Sequence, residues 1–273
     1  MKVSRFVFSL ILTLLALDVL LFGYAAGGSG ETGFYFLNVG EGDSELVRMP
    51  GGVDILIDGG LPNGAVIREL EGILPFYDRY IDIVVMSHAQ ADHFGGLIDV
   101  FERYKIGAFV WNGVKGTAQS LADLEKEIMK QDTKVIELAA GDRIRCGSHE
   151  ISVLWPAAGS ERETDINETS LVLLAQIDGA RALFTGDITA AVERKLLSGP
   201  NLHSHVLKVA HHGSKYSSSQ KFLAAVRPKA AVIGVGKNSY GHPSGEALNR
   251  LRAVGARIYR TDRDGTVEIV SGE

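Results

Sequence analysis

The 273-residue chain has a single cysteine, Cys146, and only seven prolines, and beyond residue 30 it has neither an internal repeat nor a low-complexity tract. One cysteine excludes a disulfide framework and every cysteine-based zinc finger, so any metal site must use imidazole, carboxylate or amide ligands. No cysteine stands at the end of the apolar N-terminal run, which excludes a bacterial lipoprotein anchor. With 45% hydrophobic and 22% charged residues, the chain is no disordered tail, collagen-like chain or coiled coil. The net charge of −5 is unevenly placed: residues 1–200 hold 17 Lys+Arg against 28 Asp+Glu, and residues 201–273 hold 11 against 5. An acidic body with a basic C-terminal part (−11 and +6) suits an anionic partner, against the plainer reading of scattered surface charge.

The N-terminus reads as a segment separate from the fold. Lys2 and Arg5 precede an apolar run from Phe6 to about Ala26, broken only by Asp18, and Ala25-Ala26-Gly27-Gly28-Ser29-Gly30 follows. This is the pattern of a secretory signal or of a single membrane anchor with a Gly-rich linker. Either reading makes residues 1–30 an export or anchoring segment and residues 31–273 one domain outside the cytoplasm, because the basic residues favour the inner side.

In the body, strands and helices alternate. Phe34–Val39, Glu45–Met49 and Val53–Ile57 read as short strands between Gly-rich turns, and Ile81–Met86 as a strand buried on both faces. Helices are expected at Phe94–Tyr104, Ser120–Lys130, Ala190–Leu197, Ser218–Val226 and Gly245–Val254. Further strands are expected at Ala108–Trp111, Glu150–Trp155, Leu171–Gln176, Ala182–Thr185, Val206–Ala210, Ala230–Val235, Arg257–Arg260 and Thr266–Val270, with a hairpin turn at Asp178-Gly179. Antiparallel strands followed by strand–helix units, twice over, predict an α/β fold of two mixed sheets packed together with helices outside.

Chemistry-bearing residues gather at strand ends. Ser87-His88-Ala89-Gln90-Ala91-Asp92-His93 follows the buried strand and opens a helix, the spacing of a metal-binding turn. Thr185-Gly186-Asp187 ends another strand; taken alone, Asp187 reads as an N-cap for the helix after it. Val209-Ala210-His211-His212-Gly213-Ser214 and Tyr240-Gly241-His242-Pro243-Ser244 complete the set, with Ser244 a plausible N-cap. Five of the eight histidines fall in these motifs, and His149, His203 and His205 read as surface residues.

The set resembles the metallo-β-lactamase fold superfamily, and more closely the secreted hydrolase domain of ComEC-type competence proteins. The matching stretches include FLNVGEGDS (36–44), LIDGG (56–60), SHAQADHFGGL (87–97), NETSLVL (167–173), LFTGD (183–187), LKVAHHGS (207–214) and YGHP (240–243). The resemblance implies an αββα four-layer sandwich, preceded here by an N-terminal hydrophobic helix, with one or two divalent ions, zinc or manganese, at one edge. It implies metal ligands among His88, Gln90, Asp92, His93, Asp187, His211 and His242, with Asp187 bridging. Catalytic work would fall to Asp92, His211 and His212. Asp58, Asn38, Asp43, Asn167, Ser170, Lys208 and Ser214 would support the ligands or meet substrate, and Lys208 and Lys215 could neutralise its charge.

Two departures stand out. Gln90 replaces a second histidine, and Asn167-Glu168-Thr169-Ser170 stands about where a mid-chain histidine ligand is expected. Both weaken the first of the two metal positions. The implied function is an extracytoplasmic metal-dependent phosphodiesterase or nuclease acting on DNA, as in DNA uptake, with a separate channel protein as partner. The alternatives are a teichoic-acid or phosphorylcholine-type phosphodiesterase and a degenerate, non-catalytic binding module.

Overall fold

The computed structural model describes residues 9–18, 31–158 and 165–270. Residues 9–18 are helical, and Leu10, Ile11, Leu12, Leu14, Leu15 and Leu17 there are exposed. Among the described residues no helix is long and apolar enough to cross a membrane. The rest of the expected export segment, Lys2, Arg5 and the Gly-rich stretch included, lies outside the described residues.

Fourteen strands form two seven-stranded sheets among the described residues. The first sheet runs β14 (Val267–Val270), β1 (Gly33–Phe36), β2 (Glu45–Met49), β3 (Val53–Ile57), β4 (Tyr80–Val85), β5 (Lys105–Trp111), β6 (Lys134–Glu137). The second runs β13 (Arg257–Arg260), β12 (Ala230–Ile233), β11 (Val206–Lys208), β10 (Ala180–Phe184), β9 (Val172–Ile177), β8 (His149–Trp155), β7 (Arg143–Cys146). Each sheet is antiparallel on one flank and parallel on the other, the change falling at β3 in the first and at β10 in the second.

The period-two alternation of strand side chains builds the layers. In β1, Phe34 and Phe36 face the second sheet and Tyr35 faces the helices on the other side. Phe184 of β10 meets both phenylalanines, edge-on to Phe34 (centroids 6.1 Å apart) and stacked on Phe36 (5.9 Å), and so ties the sheets together. Helices Ala65–Ile73, Leu97–Arg103 and Leu121–Lys130 cover the outside of the first sheet through Val66, Leu70, Val100, Phe101 and Leu124. Helices Ala190–Leu196, Gln220–Val226 and Gly245–Ala253 cover the second through Val192, Phe222, Leu223 and Leu251. The result is the expected four-layer αββα sandwich.

The elements depart from expectation in a few places. The helix expected at Phe94–Tyr104 is two pieces, Ala91–Phe94 and Leu97–Arg103, joined by Gly95-Gly96. There the backbone packs so closely on the strand-end loop that a Cβ on Gly96 would lie 2.1 Å from the Gly59 carbonyl oxygen. The helix Ala65–Ile73 and the edge strands β6 and β7 were not foreseen; β6 and β7 are short, with side chains largely exposed or half-buried, so they lack a strong apolar pattern. The Asp178-Gly179 turn joins β9 to β10 with both residues at positive φ, 48° and 81°, as a two-residue type I′ hairpin turn requires.

Candidate metal centre

Strand carboxyl ends from both sheets converge on one pocket. The β3 end supplies Asp58, the β4 end Ser87 to His93, the β10 end Asp187 and the β11 end His211 and His212; the β1–β2 connection supplies Asp43. Asp187 is released from the capping role its position suggested, because Thr189 is the N-cap of the helix that follows, accepting from the Ala191 N–H at 3.2 Å. The Asp187 N–H donates to Ser170 Oγ at 3.1 Å. His211 and His212 both adopt left-handed backbone, φ 49° and 50°, a strained conformation for non-glycine residues, and it turns both rings to the site side. Ser244 is the N-cap of Gly245–Ala253.

Asp43, His93, Asp187 and His212 are buried and bring one potential ligand atom each to within 4.8 Å of one another. Two carboxylates stand behind the two imidazoles. His93 Nδ1 donates to Asp58 Oδ2 at 2.8 Å, and His212 Nδ1 donates to the Gly234 carbonyl at 2.9 Å with Asp43 Oδ1 at 3.3 Å. Backed in this way, both rings turn Nε2 inward. His93 Nε2 lies 3.4 Å from Asp187 Oδ1; His212 Nε2 lies 3.4 Å from Asp92 Oδ2 and 3.5 Å from Asp187 Oδ2. His211 Nε2 is 3.8 Å from Asp187 Oδ2. His93 Nε2, His212 Nε2 and Asp187 Oδ1 are buried with no hydrogen-bond partner among the described residues. Orphaned inward-facing nitrogens beside two carboxylates fit a divalent cation, and an imidazole held by a carboxylate at its far nitrogen is the usual setting of a histidine ligand. Asp43 faces the outer nitrogen of His212, so the inward donor set is His93, His212, Asp92 and Asp187.

The charges agree. Burial opposes protonation of His93, yet Asp187 and Asp58 hold it well above the ordinary imidazole value; against the same burial, Asp43 and Asp187 do this for His212. Burial resists ionisation of Asp187 and Asp92, but the histidines beside them win and hold both carboxyls below their usual range. Lys208 is fully buried and ion-pairs with Asp43. It therefore cannot neutralise the charge of a substrate, contrary to expectation, and instead compensates the carboxylate behind His212. Burial and the Asp43 charge raise Glu45 well above the carboxylate range.

The other expected residues sort by distance from this cluster. Ser87 Oγ donates to Asp58 Oδ2 at 2.6 Å, which leaves it to accept from His88 Nδ1 at 3.0 Å. His88 Nε2 is then buried without a partner, and burial, with the neighbouring His93, lowers the ring to about 4. The His88 and His93 rings are 4.2 Å apart. Gln90 and Asn167 line the pocket, whose volume is about 480 Å³, together with Asp92, His211 and His242. Burial, then His211 and His212, lowers the His242 ring below its ordinary value. Ser170 Oγ donates to the Asn167 carbonyl at 2.7 Å while receiving the Asp187 N–H. Ser214 Oγ accepts the Tyr216 N–H at 3.3 Å; the Asn38 N–H donates to Thr266 Oγ1 at 2.9 Å, and Asn38 is not among the residues that line the pocket. His149, His203 and His205 are half-buried, away from the pocket. Ser87 and the Gly234 carbonyl were missed. Ser87 stood inside the quoted motif; Gly234 had no polar side chain to signal it, although a Cβ there would fall 2.2 Å from Asp43 Oδ1.

An αββα sandwich with a buried His/Asp cluster at its strand ends is the architecture of a metal-dependent hydrolase. The chain belongs to the β-lactamase superfamily: the family described as "Beta-lactamase superfamily domain" matches residues 55–203. It is 31% identical over 261 residues to ComE operon protein 3 of Bacillus subtilis (strain 168), covering 88% of this chain and 33% of that one. It is 32% identical over 243 residues to competence protein ComA of Neisseria gonorrhoeae, covering 86% and 32%. The chain thus spans about a third of the length of these relatives. Among solved structures it is similar to the metallo-β-lactamase fold protein YhfI of Bacillus subtilis (TM-score 0.57, 12% identity, 87% of this chain and 100% of that one). It is also similar to Igni18, a metallo hydrolase of Ignicoccus hospitalis KIN4/I (TM-score 0.56, 15% identity, 87% and 99%). At these identities the structures speak for the fold alone.

Proposed function

We propose that the protein is an extracytoplasmic, metal-dependent phosphodiesterase that cleaves DNA, working in DNA uptake beside a separate channel protein. The observation that carries the reading is the pair of buried, partnerless Nε2 atoms of His93 and His212, which face Asp92 and Asp187 on the pocket wall. These four residues would hold the ion, zinc or manganese, with His88 beside them for a second. Bound there, a divalent ion polarises a phosphoryl oxygen and acidifies water. Asp58 and Asp43 keep the two rings in register. His242, its ring held neutral at physiological pH, is placed to accept a proton from water at the pocket wall. His211, 27% exposed and adjacent, can carry a proton to the leaving oxygen. The basic C-terminal part of the chain and the competence names of the relatives support an anionic, nucleic-acid substrate. The exposed apolar side chains of residues 9–18 support an anchoring or export role for residues 1–30 ahead of one hydrolase domain.

The test uses the full-length chain in detergent, loaded with manganese or zinc and offered linear single- and double-stranded DNA beside bis(p-nitrophenyl) phosphate. The reading predicts turnover of all three or of one DNA form with the small diester. No turnover, with metal shown bound, overturns it in favour of a binding module. Turnover of the small diester alone moves the assignment to a teichoic-acid or phosphorylcholine-type substrate. Fractionation of cells tests the location: the account expects the chain in the membrane or outside the cell.

A further inference from the structure

A second hollow of about 500 Å³ adjoins the pocket. It shares His211, Tyr240 and His242 with the pocket and runs on past Ser214, Lys215 and Tyr216, so the two form one trough. Its walls carry two large rings that the protein leaves in solvent, Tyr216 at 67% and Tyr240 at 74% exposed. Their backbones are nevertheless fixed. The Tyr216 N–H donates to Ser214 Oγ at 3.3 Å and its carbonyl accepts from the Ala190 N–H at 3.0 Å; the Tyr240 N–H donates to Asn238 Oδ1 at 3.1 Å. Lys215 Nζ lies 5.0 Å from the Tyr216 ring centroid, and Tyr240 stacks on His242 at 5.9 Å with 30° between planes. Single exposed rings are ordinary. Two rings on anchored backbone in one hollow, with an ammonium over a face of one and the site's own imidazole against the other, form a stacking platform next to a cation, which is how proteins hold single strands. Glu246, on the same wall, sits in the first turn of Gly245–Ala253, where the helix dipole favours a carboxylate.

We propose that this trough binds the nucleotides flanking the scissile bond of single-stranded DNA, with bases stacked on Tyr216 and Tyr240 and phosphate facing Lys215; the proposal rests on the DNA-cleaving reading above. In a duplex the base faces are already stacked on one another, so rings on a trough wall can engage only a single strand or a frayed end. Stacking is tolerant of sequence because every base offers a π-face, so the subsite selects strandedness and not base identity.

The test is binding of fluorescein-labelled oligo(dT) to the full-length chain in EDTA, which prevents cleavage. Each of Tyr216→Ala and Tyr240→Ala is expected to weaken binding by about tenfold, and the double variant by more. Tyr216→Phe and Tyr240→Phe should restore it, since they keep the ring and lose only the hydroxyl. An oligonucleotide of the same length with abasic sites should bind the wild type as weakly as oligo(dT) binds the double variant, an outcome that a merely structural role for the tyrosines does not produce. Wild-type affinity in the double variant, equal affinity for the abasic strand, or no oligo(dT) binding overturns the subsite. Tyrosine-dependent binding with no DNA turnover after metal loading retains the subsite and removes the nuclease. DNA turnover whose KM ignores both tyrosines does the reverse.

Discussion

The pocket has two sides built to different standards. On one, His93 and His212 are each backed at Nδ1 by a buried carboxylate, Asp58 or Asp43, and both face Asp187. On the other, His88 is backed at Nδ1 only by the Ser87 hydroxyl, and Gln90, two residues on, brings a neutral amide to the pocket wall where a second imidazole is expected. A carboxylate behind an imidazole fixes the ring and raises its basicity; a hydroxyl does less, and an amide oxygen is a weaker ligand than imidazole. On the proposed reading, the difference would put the principal ion on the His93–His212 side and leave the His88 side for a weaker second one.

Five changes test that asymmetry, the largest effect first. Asp187→Ala removes the carboxylate shared by both rings, and metal content and hydrolysis should fall together to background; retained turnover would break the assignment. Lys208→Met strands Asp43 as a buried charge without its partner and should destabilise the fold by about 3–5 kcal/mol, read as a lower midpoint in urea unfolding. Asp58→Asn should weaken metal affinity by about 10–100-fold in a competition titration with a chelating dye, with the fold retained. His88→Ala should weaken the principal ion by less than Asp58→Asn does, although it lies 4.2 Å ring to ring from His93; an equal loss would erase the difference between the two sides.

The fifth change is of pH. Without an ion, His93 and His212 titrate above the ordinary imidazole value, so their contribution to stability is complete below about pH 6.5 and is lost as pH rises through their raised values. Asp187 and Asp92 titrate below theirs, so their contribution is present above about pH 4 and is lost as pH falls further. An ion must displace the two imidazole protons. The ion-free chain should therefore melt at lower temperature as pH climbs from about 6 to about 9, while the gain in melting temperature on adding metal grows over the same range.

Much of the site was legible because metal chemistry is spelled in a few residue types at strand ends: Asp92, Asp187, His211 and His242 line one pocket, and the buried His93 and His88 rings pack against that cluster. The sandwich was legible from apolar runs such as β4 and from the Asp178-Gly179 turn. What escaped notice depended on partners distant in sequence. Lys208 looked like a phosphate-binding cation beside the His-His motif, and only the fold brings it to Asp43, 165 residues away. The role of the Gly234 carbonyl has no side-chain signature, and β6 and β7 carry too little buried apolar surface to announce themselves. The left-handed backbone at His211-His212 is likewise invisible in the sequence, because few non-glycine residues adopt it and nothing in the residue types announces two in a row.

The central claim is that His93, His212, Asp92 and Asp187 form one metal centre. Elemental analysis of the purified wild-type chain beside Asp187→Ala, each dialysed against metal-free buffer, tests it most directly. The account predicts one tightly held divalent ion per wild-type chain and none in the variant. An ion retained by Asp187→Ala, or a wild-type chain that holds no ion after loading, would contradict it.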